Sequence, residues 1–183
     1  VAATLAFQAA TQSAFVKLTP AGNYQIAQRG GQAQWAGDAL GRRSFLSRAI
    51  QTPEDWAGVL NTPVLTVLEL DMVNAAQQVR QALAPEVPLL VTVFSPVTQA
   101  LMLAGAPTLQ AHLRHAPQAV QAALASLSTN TLALLEAYRQ VGVSGVYLAC
   151  QHLADAVLPE ALYLQHAHQW DAQIGRASCR ERV

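Results

Sequence analysis

Polar side chains that could take part in chemistry stand within or just after short apolar runs. Lys17 lies in one such run, and its amine could hold an anionic group or form a Schiff base with a carbonyl carbon. Ser95 follows the run at residues 89–94, and Gln151 follows a third run. Their hydroxyl and amide groups can hydrogen-bond a substrate. We therefore treat Lys17 as a candidate catalytic residue and the other two as candidate substrate contacts.

Each of these residues also has a structural explanation. The Lys17 stem would pack among apolar neighbours while its ammonium group reaches solvent or a buried acid. Ser95 precedes Pro96, which is typical of a turn, and no Gly-x-Ser-x-Gly motif surrounds it. The residues alone leave both explanations open.

The polar segment after Lys17 supplies three more candidate substrate contacts. Asn23, Tyr24 and Arg29 would contact a polar substrate if this segment covers a site. Alternatively, Asn23 shapes a turn and Tyr24 packs its ring in the core. Residues 25–48 contain scattered glycines and no sustained period, so we predict a long loop with at most one short strand.

The cysteine and histidine residues do not form a metal-binding pattern. Cys150 and His152 lack further ligands, so we expect a small buried residue at the first position and the start of a helix at the second. The other histidines are spaced i,i+3 or i,i+2, and neither pair has a carboxylate or cysteine to complete a site. We predict no metal ligand and four surface histidines: His112, His115, His166 and His168.

Alternating strands and helices must position these candidates. Residues 89–94 are apolar and β-branched, as in a strand buried on both faces, and a helical pattern follows at once. Further strands are predicted at residues 13–19 and 143–149, with helices between them and a last helix at residues 158–170. Connections this long indicate a parallel sheet, either doubly wound or part of a (β/α)8 barrel. The carboxyl ends of such strands face the ligand, which adds Phe94 to the candidate substrate contacts.

Helix start and stop signals bound two of these helices. Thr62 and Pro63 predict the start of one helix, which ends before Pro85. Pro117 begins a longer helix that ends at Gly142.

Composition excludes several classes of protein. The 183-residue chain is 52% hydrophobic and 12% charged with a formal net charge of zero, which indicates a folded protein without the basic patch of a nucleic-acid-binding protein. Its longest apolar runs are far below the roughly 18–20 residues that span a membrane. We therefore expect a soluble protein with no nucleic-acid or membrane partner.

The end of the chain differs abruptly in composition from the rest. Residues 175–183 resemble translated sequencing-adaptor sequence, so we expect residues 1–174 to be the domain and residues 175–183 to be a non-native tail. Without this tail the remaining cysteine is Cys150. One cysteine forms no intramolecular disulfide, so we expect a cytoplasmic location.

Several segments, taken in order, resemble the uroporphyrinogen decarboxylase superfamily. They are residues 15–24 followed by Arg29-Gly30, then Phe94-Ser95-Pro96, His115-Ala116-Pro117, and residues 142–147 leading to Cys150-Gln151. The resemblance covers roughly residues 10–174 and implies a (β/α)8 barrel about twice as long as this chain. The chain would then be a fragment of the α/β class, a partial (β/α)8 TIM barrel with roughly strands two to four and their helices.

The resemblance implies one of two activities. The superfamily contains the haem-pathway decarboxylase, which removes carboxylates from a tetrapyrrole without a cofactor, and corrinoid-dependent methyltransferases that use a zinc-bound thiolate. In the decarboxylase, the strand that matches residues 15–18 carries an aspartate that binds pyrrole nitrogens, and the active-site tyrosine falls near Met102. Lys17 stands in the place of the aspartate, and an ammonium group cannot accept hydrogen bonds from pyrrole N–H groups.

We therefore predict a corrinoid or methyl-thiol methyltransferase-type enzyme that acts at the C-terminal face of the barrel. Uroporphyrinogen decarboxylase is the first alternative, and a non-catalytic small-molecule-binding barrel is the second. Zinc and a corrinoid partner are implied only for a longer parent protein, whose zinc ligands would lie beyond Ile174. We expect no cofactor and no activity in these residues alone, and low stability because a half-barrel exposes two sheet edges.

Overall fold

A computed structural model describes residues 1–39 and 43–178 of the protein. Eight α-helices and five strands lie within these residues. In chain order they are α1 (Ala2–Thr11), β1 (Val16–Leu18), β2 (Gln32–Trp35), β3 (Arg43–Ser47), α2 (Trp56–Leu60), α3 (Val67–Ala82), β4 (Leu89–Phe94), α4 (Pro96–Ala104), α5 (Ala106–His115), α6 (Pro117–Gln140), β5 (Gly145–Ala149), α7 (Glu160–His166) and α8 (His168–Ser178). None of the helices in this part of the chain combines the length and the apolar character needed to cross a membrane.

The central sheet has three parallel strands in the order β1-β4-β5. The apolar, β-branched residues of β4 suit the middle position, where both faces are covered, and its bounds are those that the sequence predicts. The register pairs Lys17 with Leu90, and Thr92 with Tyr147. Because side chains alternate along a strand, these four residues and Phe94 share one face, termed the inner face.

The opposite face of the sheet packs against the helical layer. Its side chains belong to the buried core: Val16, Leu18, Leu89, Val91 and Val93. α3 contacts β4, and the long helix α6 packs against α2, α4 and α8. The apolar residues of α6 recur every three or four positions and are buried: Val120, Leu124, Leu127, Leu134 and Tyr138.

α3 begins with a capping box. Glu69 N donates to Thr66 Oγ1 at 3.3 Å, and Thr66 N donates to Glu69 Oε2 at 2.7 Å. The helix therefore begins at Val67 rather than at the Thr62-Pro63 signal. A Thr-x-x-Glu pattern that satisfies two backbone donors is stronger than a proline that only removes one.

Residues 25–48, predicted as a loop with at most one short strand, contain two antiparallel strands, which are called the hairpin below. β2 and β3 pair with an irregularity between Gln32 and Ala33. Most of their side chains are exposed, so neither strand has the alternating apolar pattern that reveals a strand in a sequence. The prediction is wrong here for that reason.

The single helix predicted at residues 158–170 is also wrong, because α7 and α8 meet at Ala167. Ala167 is buried, and beyond the break Asp171 is buried as well. α8 includes residues 175–178, the first part of the segment interpreted as a non-native tail. Residues 179–183 lie outside the described residues, and that interpretation stays a prediction.

Candidate functional site

Lys17 projects from the inner face of the sheet. Its Nζ lies 3.9 Å from the centroid of the Tyr147 ring, a cation–π contact between the two strands that flank β4. Lys17 is the single lysine of the sequence and the one charged residue in the described strands of this sheet. No acidic group of residues 1–39 or 43–178 forms an ion pair with it. The inner face therefore offers a cation that no carboxylate of these residues neutralises.

Thr92 lies on the same face, beside Tyr147 in the register. Only 6% of Thr92 is exposed, and its Oγ1 is buried without a hydrogen-bond partner among the described residues. A buried hydroxyl without a partner is destabilising relative to one that is bonded. The inner face thus combines an exposed cation, an exposed phenol and an unsatisfied buried hydroxyl.

Tyr24 and Gln25 complete the edge of β4 where β1 ends. β1 pairs with only the first three residues of β4, so the Thr92 carbonyl and the Phe94 N–H lie beyond it. The Tyr24 hydroxyl donates to Thr92 O at 3.0 Å, and Phe94 N donates to Gln25 Oε1 at 2.6 Å. Burial and the neighbouring Tyr138 raise the pKa of Tyr24 well above its ordinary value.

Tyr24 and Phe94, both predicted as substrate contacts, are core residues in the structure. Their ring centroids lie 6.1 Å apart, and both side chains are buried. The Tyr24 hydroxyl is already bonded to the sheet, as the packing alternative for this residue requires. A substrate-binding role for either residue stays a prediction.

Arg29, a third predicted contact, is buried against the start of α3. Its Nη2 lies 3.1 Å from Glu69 Oε2, and its Nε donates to Gln25 O at 2.8 Å. Nη1 donates to Thr62 Oγ1. The guanidinium group thus ties residues 25–29 to the helical layer, and its contact with a substrate stays a prediction.

Asn23 is half-buried and shapes a turn. Its carbonyl accepts hydrogen bonds from Ile26 N at 3.0 Å and from Ala27 N at 2.9 Å, which is the turn role considered from the sequence. Asn23 also lines a cavity of 490 Å³ whose other walls come from the hairpin and α3. A substrate contact by Asn23 stays a prediction.

Ser95 caps α4. Its Oγ accepts a hydrogen bond from Thr98 N at 3.1 Å and donates to Thr98 Oγ1 at 3.1 Å, and the residue is completely buried. Gln151 N donates to the same Thr98 hydroxyl at 2.9 Å, which joins the end of β5 to the start of α4. Gln151 itself is exposed. Substrate contacts by Ser95 and Gln151 stay predictions, and of the two only Gln151 is accessible.

His152 and Asp171 extend this network, and neither is among the site residues predicted from the sequence. His152 Nδ1 lies 3.1 Å from Thr98 Oγ1, and its Nε2 lies 2.9 Å from Asp171 Oδ2. Val97 N donates to Asp171 Oδ1 at 3.4 Å, so the carboxylate faces the positive end of α4. The helix start predicted at His152 is wrong, because the residue lies in a turn and the next helix begins at Glu160. No local pattern in the sequence connects residues from β5's end and α8.

Cys150 adjoins the network and is half-buried. Burial, and to a lesser degree the Asp171 carboxylate, raise the pKa of the Cys150 thiol above its ordinary value. A thiol with a raised pKa is a weak nucleophile and a weak metal ligand at neutral pH. The geometry therefore gives Cys150 no catalytic advantage.

His112 corrects the prediction of four surface histidines. It is buried, and Trp56 Nε1 donates to its Nδ1 at 3.0 Å, whereas His115 and His168 are exposed. Within residues 1–39 and 43–178, no three His, Cys, Asp or Glu side chains are grouped so that they could hold a metal ion. The zinc ligands that the resemblance implies would lie beyond Ile174, so a zinc site of a longer parent protein stays a prediction.

The residues that the structure brings together are therefore Lys17, Thr92 and Tyr147, termed the inner-face site. Lys17 is a predicted site residue, whereas Thr92 and Tyr147 are not. A signal for both exists in the sequence, because Thr92 carries the one polar side chain of β4 and Tyr147 the one polar side chain of β5. Alternation along parallel strands places them beside the lysine once the register is known.

The fold has a counterpart among solved structures. A methyltransferase from Methanosarcina mazei matches with a TM-score of 0.79 and 14% sequence identity, over 96% of this chain and 52% of that chain. This chain thus spans about half the length of that structure. At this identity the likeness establishes the fold alone, and it confirms the predicted α/β partial (β/α)8 barrel.

Sequence comparison identifies the family. No curated protein matches the chain. The family model of uroporphyrinogen decarboxylase (URO-D) matches residues 41–182, which is most of the sequence. The chain belongs to the uroporphyrinogen decarboxylase (URO-D) family.

Proposed function

We propose that this chain is part of a methyltransferase-type enzyme of its family, which acts on a small molecule at the inner face and the carboxyl ends of the parallel strands. Corrinoid-dependent or methyl-thiol transfer is the reaction class of the proposal. The family match over residues 41–182 and the fold shared with the Methanosarcina mazei methyltransferase support it.

The presence of Lys17 on β1 is the observation that favours a methyltransferase over the decarboxylase. By resemblance, the decarboxylase needs an aspartate on this strand to accept hydrogen bonds from pyrrole N–H groups. Lys17 can only donate, and its ammonium group lies over Tyr147 with no carboxylate of the described residues beside it. The inner face is therefore electropositive where pyrrole binding requires a negative group.

In this proposal the described residues bind and orient the substrate. Lys17 holds a negatively charged part of the substrate, and Gln151 supplies an accessible amide at the end of β5. Zinc and a corrinoid partner would supply the methyl-transfer chemistry, and the zinc ligands would have to come from residues other than those described here. A cytoplasmic location belongs to the same proposal and is supported by the free thiol of Cys150.

The direct test uses the longest reading frame that contains this chain. The purified protein is incubated with reduced cobalamin and, in separate reactions, methanol, dimethylamine and dimethyl sulfide, and methyl transfer is read from cobalamin absorbance. A parallel reaction with uroporphyrinogen counts the remaining carboxylates by mass spectrometry. We expect cobalamin methylation with at least one donor and an unchanged tetrapyrrole.

Two variants connect the activity to the inner face. Lys17→Met should lower kcat/KM by about tenfold or more, the value of one hydrogen bond to a charged group. Arg114→Met, which removes an exposed cation from α5, should leave kcat/KM unchanged. Equal losses in both variants would mean that the effect is one of net charge.

Uroporphyrinogen decarboxylation is the second candidate function, favoured by the description of the family whose model matches the chain. Loss of carboxylates from uroporphyrinogen, with no change in cobalamin, would replace the first proposal by this one. In that case Lys17 would have to contact the propionate or acetate arms rather than the pyrrole nitrogens.

A further inference from the structure

We infer that His152 is a positioning residue, which acts through the hydroxyl group of Thr98 to fix the carboxyl end of β5 and with it Gln151. The inference rests on the proposed function, in which Gln151 supplies an amide to the substrate. It adds a buried pair, His152 and Asp171, that determines where this amide lies without touching the substrate.

The contacts join the ends of two strands to the start of one helix. Thr98, in the first turn of α4, accepts a hydrogen bond from Gln151 N at 2.9 Å, and its hydroxyl oxygen lies 3.1 Å from His152 Nδ1. Ser95 N also donates to Ala149 O at 3.2 Å across the same two strand ends. Thr98, Ser95 and His152 are completely buried among the described residues, so these contacts do not depend on a free edge of the sheet.

Asp171 determines which nitrogen of His152 carries the proton. Its Oδ2 lies 2.9 Å from Nε2, a close contact without an aligned hydrogen bond. A carboxylate oxygen can only accept, and two unprotonated acceptors at this distance would repel, so the proton belongs on Nε2. The carboxylate also accepts from Val97 N and from the Tyr163 hydroxyl, each at 3.4 Å. Groups on α4 and α7 thus hold it beside the imidazole.

The hydrogen bonds of Thr98 Oγ1 give His152 its role. This oxygen has two lone pairs, which accept from Gln151 N and, at 3.1 Å, from the Ser95 hydroxyl. Its own proton then has His152 Nδ1 as its acceptor, which requires the neutral imidazole with its proton on Nε2. His152 therefore turns the Thr98 hydroxyl so that a lone pair faces Gln151 N.

Gln151 is the residue through which this arrangement reaches a substrate. Residues at the carboxyl ends of the strands form the sites of (β/α)8 barrels. The contact with Thr98 uses the backbone nitrogen of Gln151, so it fixes the residue without occupying the side-chain amide. Positioning of this kind matters because a misplacement of about 1 Å can lower a rate about 100-fold.

Hydrogen exchange of backbone amides tests the network without any activity. The 183-residue chain is labelled with nitrogen-15, and the exchange rate of the Gln151 amide is divided by the mean rate of the β4 amides. A general loss of stability does not raise this ratio, because it speeds the β4 amides at least as much. Thr98→Val should raise the ratio about fivefold, the value of one hydrogen bond, whereas Thr98→Ser keeps the hydroxyl and should stay within twofold of the unchanged chain.

Variants of His152 test its part in the network. His152→Phe keeps a ring beside Tyr163 but has no acceptor, so the ratio should rise at least twofold. His152→Asn has an acceptor oxygen at the same number of bonds from Cα as Nδ1 and should restore it. Thr129→Val removes a hydroxyl at an exposed site on α6 and should have no effect. An unchanged ratio in Thr98→Val, or equal ratios in the two His152 variants, would overturn the inference.

The imidazole itself gives a measurement that needs no variant. Nitrogen-15 chemical shifts of the His152 ring in the unchanged chain should show a proton on Nε2 and none on Nδ1. A proton on Nδ1 would overturn the inference even if the His152 variants do not fold.

Kinetics of the longest reading frame show whether the network acts through the Gln151 side chain. Gln151→Ala removes the amide but keeps the backbone bond to Thr98, and it should lower kcat/KM about fivefold. Thr98→Val should lower kcat/KM by a similar factor, and the double variant should be no slower than Gln151→Ala alone. Losses that multiply in the double variant would overturn the role at the substrate.

Failure of the inference and failure of the proposed function are distinguishable. The reaction followed is methyl transfer or loss of carboxylates, whichever the protein catalyses, so losing the methyltransferase proposal alone leaves the kinetic test intact. A protein that catalyses neither reaction removes the proposed function and with it the role at the substrate. The exchange ratio then still decides whether His152 and Thr98 fix the end of β5.

Discussion

Arg29 and Glu69 form an ion pair across 40 residues of sequence, with Nη2 and Oε2 3.1 Å apart and side chains 0% and 1% exposed. Glu69 Oε2 also accepts hydrogen bonds from Thr66 N and Thr66 Oγ1, so the pair joins the segment after β1 to the capping box of α3. Each charge of this buried pair is stabilised by the other. If one partner is removed, the remaining charge stays buried with no opposite charge beside it.

Arg29→Met should therefore lower the free energy of unfolding by about 3 kcal/mol, because it strands the Glu69 carboxylate. Chemical denaturation of the purified chain measures this loss. Arg139→Met is the matched control. Arg139 Nη2 lies 2.6 Å from Glu136 Oε1, and both side chains are on the exposed surface of α6. An exposed pair contributes little because water screens it, so the control should lose much less stability than Arg29→Met. Similar losses in the two variants would contradict the burial of the Arg29 pair.

Asp171 and His152 should be energetically coupled. His152→Gln and Asp171→Asn each remove one partner of a buried polar contact and should each cost about 2 kcal/mol in unfolding free energy. The double variant should cost about 1 kcal/mol less than the sum, because the second change no longer breaks an intact contact. Strictly additive losses would mean that the two side chains act separately.

The parts of the fold that are predictable from the sequence are those with local signals. β4 is predicted with its observed bounds because its apolar run is continuous and Pro96 stops it. α6 begins at Pro117 as predicted, since a proline at the first helical position needs no partner. The hairpin of β2 and β3 is missed because its exposed strands lack an apolar alternation.

The candidate site is less predictable, because its contacts depend on register and on distant partners. Arg29 is predicted as a substrate contact since nothing near it indicates that Glu69 lies against it. Ser95 has a cap position in the sequence, but only the structure shows Thr98 and His152 bonded beyond it. Lys17 can be chosen as a candidate site residue from the sequence alone, because a charged residue in an apolar strand is unusual wherever the strand lies.

Alkaline pH should destabilise the fold through its buried tyrosines. Burial raises the pKa of Tyr24 well above 10.0 and that of Tyr138 to about 12. Above about pH 10 the unfolded chain releases phenolic protons that the folded chain retains, so the unfolded state binds fewer protons and the free energy of unfolding falls. The contribution of Tyr138 should fall by about 1 kcal/mol per pH unit until its folded pKa is reached.

Denaturant titrations at several alkaline pH values measure this slope, and Tyr138→Phe is the variant that isolates one residue. Above about pH 10 the free energy of unfolding should fall less steeply with pH in the variant than in the unchanged chain. Near neutral pH the two should depend on pH alike. If the two slopes coincide, Tyr138 ionises alike in the folded and unfolded chains and its burial does not control the alkaline transition.

Lys17→Met should leave the stability of the protein nearly unchanged while it weakens substrate binding. The Lys17 side chain is exposed, no carboxylate of the described residues pairs with it, and its ammonium group contacts the Tyr147 ring, which a methionine can also cover. Thermal unfolding should therefore shift by no more than about 2 °C, the effect of a surface substitution. In the longest reading frame that contains this chain, kcat/KM in the cobalamin assay should fall by about tenfold. A large fall in Tm with kcat/KM unchanged would show that the lysine supports the sheet and that the substrate is held elsewhere.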